Sequence, residues 1–183
     1  MRPLHLFLVL GGALAAACGD PFGLPVASAD NVVDTVSLYA LSGTPVATPS
    51  GYNLQFREAV RTDLGGGFDF AIDLDTAFRP VLLPTGALRL GRSSGVQATT
   101  LPFDSIRIAP GGGFQLDSAV TVDVGGRAIV HSRDAVCSWG GAAVYYAKLQ
   151  MLAVDSAARR IDFQILVDTN CGYRGLEPGL PSR

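Results

Sequence analysis

The chain carries one lysine, Lys148, and two glutamates, Glu58 and Glu177, against 13 arginines and 14 aspartates. Lys and Glu usually clothe the solvent face of helices, whereas Asp, Gly and Pro belong to turns and caps. A sequence so short of the first pair cannot cover several amphipathic helices. Histidine is almost missing as well, with His5 and His131 alone. That leaves too few ligands for a zinc centre built on His and Cys, and no metal is expected. The formal charge is only −2, which excludes the basic surface that nucleic acid requires. No apolar run reaches 18 residues. The longest, residues 6–17, would span about 18 Å as a helix, well short of the roughly 30 Å hydrocarbon core. Walker, dinucleotide-binding and haem-attachment motifs are all missing, so no cofactor is expected.

What is present is ample apolar material. Of 183 residues 48% are apolar, enough for one packed domain and too much for a disordered chain. Met1-Arg2-Pro3-Leu4-His5 followed by the 12-residue apolar run has the layout of an export leader. The run ends in Leu14-Ala15-Ala16-Ala17-Cys18-Gly19, small residues before a cysteine. This stretch resembles the lipobox of bacterial lipoprotein precursors. The resemblance covers about 20 residues and concerns processing alone. It implies cleavage before Cys18, acylation of its thiol, and attachment to a membrane through acyl chains. That family commonly has Leu three residues before the cysteine; here Ala15 stands there, with Leu14 one further out. Gly19 and not Asp follows Cys18, which by the family's sorting rule points to the outer membrane or periplasmic face of the envelope. The expected organisation is a leader at 1–17, a Pro- and Gly-containing tether at 18–31 and one domain at 32–183.

With Cys18 acylated, Cys137 and Cys171 remain, and in an exported chain they are expected to pair. A turn at 155–159 would make a hairpin in which Cys171 lies opposite Ala143, six residues beyond Cys137. A plain hairpin cannot then bring the two within the usual 7 Å Cα limit. Either the chain bends back at 138–141, pinning residues 170–176 over the sheet, or the bridge crosses between sheets; the bend is the expected solution.

Alternation of apolar and polar residues recurs along the chain. It runs through Val36, Leu38 and Ala40; through Phe68, Phe70, Ile72 and Leu74; through Val120, Val122 and Val124; through Tyr145, Ala147, Leu149, Met151 and Ala153; and through Ile161, Phe163, Ile165 and Val167. Shorter strands are expected at 54–57, 87–90, 105–109 and 127–131, with glycine clusters between them. About nine short strands, each with one polar face, predict an all-β antiparallel sandwich or barrel.

Candidate chemistry is thin. Gly91-Arg92-Ser93-Ser94-Gly95 matches the G-x-S-x-G nucleophile pattern, with His131 as a conceivable base. That elbow needs a strand before it and a helix after it, and residues 96–100 read as extended. Asp69, Asp73 and Asp75 share one strand face but lack the loop spacing of a calcium site. Trp139, Tyr145, Tyr146 and Tyr173 cluster near the cystine in sequence and form a candidate binding patch. The expected role is non-catalytic: a lipid-anchored envelope module that binds an envelope protein or a glycan. The alternatives are a carrier with an apolar cavity between its sheets and a serine hydrolase using Ser93 and His131.

Overall fold

A computed structural model of the chain describes residues 24–65 and 67–181. Twelve strands form two five-stranded antiparallel sheets and one small hairpin. The strands are β1 (Val33–Tyr39), β2 (Gly51–Asn53), β3 (Glu58–Val60), β4 (Phe70–Leu74), β5 (Pro80–Pro84), β6 (Gly95–Thr99), β7 (Val120–Thr121), β8 (Arg127–His131), β9 (Ala135–Val136), β10 (Ala142–Ala143), β11 (Tyr146–Asp155) and β12 (Arg160–Asp168). The larger sheet has the order β1-β12-β11-β8-β6, and the second has the order β3-β2-β4-β5-β7. The sandwich is therefore the fold, and the alternation read along 36–40, 68–74 and 161–167 points its apolar members inward. Leu38, Phe70, Ile72, Ile161, Phe163 and Ile165 are all buried between the sheets. At the centre the rings of Tyr52, Phe70 and Phe163 lie 5.7 to 6.2 Å apart and fill the space that a carrier would leave open.

Three expected strands are something else. Residues 54–57 form the turn between β2 and β3, because Asn53 Oδ1 accepts the Phe56 N–H and Arg57 adopts a left-handed φ of 55°. Residues 87 and 88 end a short 3₁₀ turn, Thr85–Leu88, which Arg89 stops at φ 61°, and Leu90 lies beyond it. Residues 105–109 follow a second 3₁₀ turn, Phe103–Ser105, and make only a bridge from Ile108 to Gly175. Conversely, β5 has no alternation to read. Its two prolines stand at its ends, where a missing N–H is tolerated, and Pro80, Val81, Leu82 and Pro84 are all buried. In β11 the alternation breaks at a bulge between Met151 and Ala153, so Ala153 is exposed and Val154 turns to the core instead.

Asp69, Asp73 and Asp75 are each engaged within the fold. Asp69 is buried, accepts the Leu54 N–H and pairs with Arg133. Asp73 accepts from Ser42, and Asp75 caps the β4–β5 turn through Ala77 and Arg79.

The outer face of the larger sheet is not bare. Residues 102–116 and 174–177 pair with each other, Ala109 N–H to Arg174 O and Leu176 N–H to Arg107 O, and lie across it as a third layer. Beneath them Phe103, Ile106, Ala109, Ile129, Leu166 and Leu176 form a second, smaller core. Lys148 is enclosed there, 1% exposed, donating to the main-chain oxygens of Phe103 at 2.9 Å and Ile106 at 3.1 Å. Burial pulls its ammonium below the usual lysine range, and the carboxylates of Asp104 and Glu177 oppose that shift.

One end of the sandwich gathers both termini of the domain. Asn31 and Gly179 exchange main-chain hydrogen bonds of 2.8 and 3.0 Å. Asn170 Oδ1 accepts the N–H groups of Ser28 and Ala29, and its Nδ2 donates to Ala29 O. Asp168, fully buried, accepts on Oδ1 from Asn170 N–H and Nδ2, both at 2.9 Å, while its Oδ2 has no partner among the described residues. Burial pushes this carboxyl above the ordinary range.

Candidate functional site

The bend at 138–141 is present. β9 and β10 form a tight hairpin, Val136 opposite Ala142 and Ala135 opposite Ala143, closed by Cys137 N–H to Gly141 O. The bend brings Cys137 to Cys171, with Cα atoms 5.8 Å apart, and the two form a disulfide. The hairpin closes one residue away from the register read from the sequence, with Asp155 and not Val154 opposite Arg160, and the ladder ends at Tyr146 and Asp168; beyond it Gly172 N–H reaches Val144 O.

The four aromatic residues near this bridge do not share a surface. Tyr145 belongs to the inter-sheet core, and Tyr173 is buried with its hydroxyl on Pro25 O at 2.6 Å. Tyr146 lies on the outer face beside Phe114 and His131, with ring centres 6.4 and 6.3 Å away. Trp139 alone is open to solvent. A four-residue patch is thus replaced by one exposed indole, because Tyr145 and Tyr146 are neighbours on a strand and face opposite sides.

Ser93 and His131 are not joined by a hydrogen bond. The Ser93 hydroxyl lies 3.4 Å from Thr85 Oγ1, and the His131 Nδ1 faces Ser132 O at 2.8 Å. Its ring meets Phe114 edge-on at 4.7 Å. The Gly91-Arg92-Ser93-Ser94-Gly95 segment leads into β6 and not into a helix, so the strained elbow that would present a nucleophile is not formed. No cluster of three metal-ligating side chains exists among the described residues. Cys18 and the expected leader at 1–17 lie outside the described residues.

The feature that sequence reading missed is on the outer face of the larger sheet. Strand register aligns Thr35, Gln164, Gln150, Arg127 and Thr99 in one polar row across all five strands. The next row, Val33, Leu166, Lys148, Ile129 and Gln97, runs beneath the covering layer. Where the cover stops, a cleft of about 500 Å³ opens, lined by Val33, Pro102, Phe103, Asp104, Arg127, Gln150 and Gln164. Arg127 is held rigidly, its guanidinium donating to the main-chain oxygens of Thr100, Leu101 and Gly125. Gln164 Nε2 donates to Gln150 Oε1 at 3.0 Å, leaving the Gln150 amide nitrogen and the Gln164 amide oxygen to a ligand. One wall is apolar (Val33, Pro102), the floor is neutral amide, and Asp104 supplies a carboxylate at the rim. Such a set offers neutral donor and acceptor pairs beside one carboxylate and an apolar wall.

One signal for this row was available in the sequence, since a register carried back from a turn at 155–159 pairs Gln150 with Gln164; the pair forms because the bulge at 151–153 offsets a one-residue shift at the turn itself. The approach of Arg127 and the wall at 102–104 had none, because both come from distant chain segments. No protein-family model matches the chain, and no curated protein matches it at a significant level.

Proposed function

We propose that this chain is a non-catalytic binding protein of the bacterial cell envelope, exported by its leader and held on the outer-membrane or periplasmic face by acyl chains on Cys18. Its ligand is a neutral glycan of the envelope, taken into the cleft between the polar row and residues 102–104. The observation that carries this reading is the Gln164–Gln150 pair beside a pinned Arg127, which offers ordered, uncharged donors and acceptors on a rigid sheet. Paired amides and a carboxylate match vicinal hydroxyls, and the apolar wall suits the C–H face of a sugar ring. The serine and histidine of the G-x-S-x-G reading have other partners, Ser93 near Thr85 and His131 at Ser132, which supports the non-catalytic reading.

Titration calorimetry with soluble peptidoglycan fragments and envelope oligosaccharides tests the ligand class. A saccharide should bind, and the Gln150→Ala/Gln164→Ala variant should lose about tenfold in affinity, the equivalent of roughly 1.4 kcal/mol of hydrogen bonding. Equal affinity in the variant removes the cleft from the account. Covalent labelling of Ser93 by a fluorophosphonate would remove the non-catalytic reading. Intact mass of the processed protein tests the anchor separately, with a start at Cys18 plus acyl mass expected.

A further inference from the structure

The tether does not leave the domain at an arbitrary point. Leu24, the first described residue, packs against Gly172, where a Cβ would meet its side chain at 2.9 Å. Gly172 adjoins the cystine that clamps the β9–β10 hairpin. From Leu24 back to Cys18 is six residues, a covalent reach of at most about 22 Å. Any acyl chain on Cys18 therefore holds this end of the sandwich close to the bilayer.

The loops at the same end each present an apolar side chain to solvent. Val136 is 80% and Trp139 44% exposed on the hairpin, Phe56 is 64% exposed on the β2–β3 turn, and Leu64 is 68% exposed on the loop before β4. These loops are tied to that end by Arg57 with Asp34, Arg133 with Asp69, and Asn53 with Gly67 O. Arg61 also pairs with Asp63 at 2.7 Å, while Glu58 and Asp134 stay exposed without an ion pair among the described residues. Beside those two carboxylates, an indole, a phenyl ring and aliphatic tips are left to meet a surface. Indole favours the headgroup level of a bilayer, where its ring is half buried and its N–H stays hydrated. The opposite end also exposes apolar residues, Phe78 among them, but no tether leaves there.

We infer that the tether end of the sandwich is a membrane-docking face, in which Trp139, Val136, Phe56 and Leu64 seat in the interfacial layer of the bilayer that holds the anchor. This rests on the acylation of Cys18 proposed above. The second contact fixes the domain's orientation, with the β4–β5 turn and Phe78 pointing away from the lipid. A single acyl chain holds only reversibly, and an apolar rim beside it slows release.

Trp139 is the chain's only tryptophan and reports directly. The full chain, processed in a bacterial host, is reconstituted in vesicles of phosphatidylethanolamine and phosphatidylglycerol, with or without brominated acyl chains. Trp139 emission should shift to the blue, lose intensity with brominated lipid, and be shielded from iodide in the water. In the Trp139→Phe/Phe78→Trp variant the emission should stay open to iodide and ignore the bromine. If the protein floats with the vesicles while Trp139 stays open to iodide, docking is overturned and the anchor stands. Equal quenching at both positions overturns the orientation. Failure to float, with a mature mass lacking acyl chains, overturns the anchor and the docking together.

Discussion

The Lys148 ammonium donates to the main-chain oxygen of Phe103 at 2.9 Å and lies 4.5 Å from the centre of that residue's ring. The only lysine of the chain is thus a pin through the middle of the outer face, joining β11 to the layer that covers it. Acylation by an activated ester should be slow on the folded protein and fast in denaturant, read by mass spectrometry. Lys148→Met leaves the oxygens of Phe103 and Ile106 without this donor and should cost about 1–3 kcal/mol. Hydrogen exchange in the variant should rise first at 103–109; unchanged protection there would show that the layer stands without the pin.

Asp168 makes stability depend on pH in a definite direction. Its folded-state carboxyl titrates above the unfolded one, so folding takes up a proton between the two values. The penalty is nil below the unfolded value of about 4, grows as pH rises toward the folded one, and is constant above it. The groups around it are Asn170, Asn31 and, across the ladder, Tyr146, and none carries a charge at neutral pH. Asp168→Asn cannot ionise and so escapes this penalty. Its melting temperature relative to wild type should be more favourable at neutral pH than in acid. A difference independent of pH would contradict this.

The disulfide closes a segment of 34 residues, for which chain entropy assigns about 3–4 kcal/mol. Urea titration of the Cys137→Ser/Cys171→Ser variant should show a loss of that order. The hairpin at 135–143 and the segment 170–173 should open together in exchange experiments, since the bridge joins the two. Loss of protection confined to the hairpin would mean that Tyr173 and Asn170 hold the second segment unaided.

Tyr52 carries a buried hydroxyl with no partner among the described residues, and burial with Asp34 nearby pushes its pKa up to about 12. An unsatisfied buried hydroxyl costs more than it returns. Tyr52→Phe should raise stability by about 1 kcal/mol without disturbing the Phe70 and Phe163 rings, measured by thermal melting. A loss of stability would place an ordered water on that oxygen.

Sequence periodicity located the elements whose two faces differ. β8 and β12 are where alternation put them, because each has the sandwich core on one side and a mixed layer on the other. β5 escaped because both its faces are buried and prolines bound it, and 54–57 misled because the Asn53 side chain bends an apolar stretch into a turn. The bulge in β11 hid Ala153 from a strict period of two. Lys148 read as a polar strand residue, which it is; its burial is decided by Phe103 and Ile106, more than 40 residues away, and no local pattern records that distance. The polar row has the same origin. Gln150 and Gln164 meet because the bulge in β11 offsets a one-residue shift at the turn, and Arg127 and the wall at 102–104 reach the cleft by routes that only the assembled sheet reveals.

The reciprocal bonds between Asn31 and Gly179 put the first and last paired residues of the domain side by side. Topologically the backbone is close to a ring that has been cut at one place, and the cut could be moved. A short linker across this gap, with new ends at the exposed tip between β11 and β12, would preserve every strand pairing while parting the domain from the point where the proposed anchor joins it.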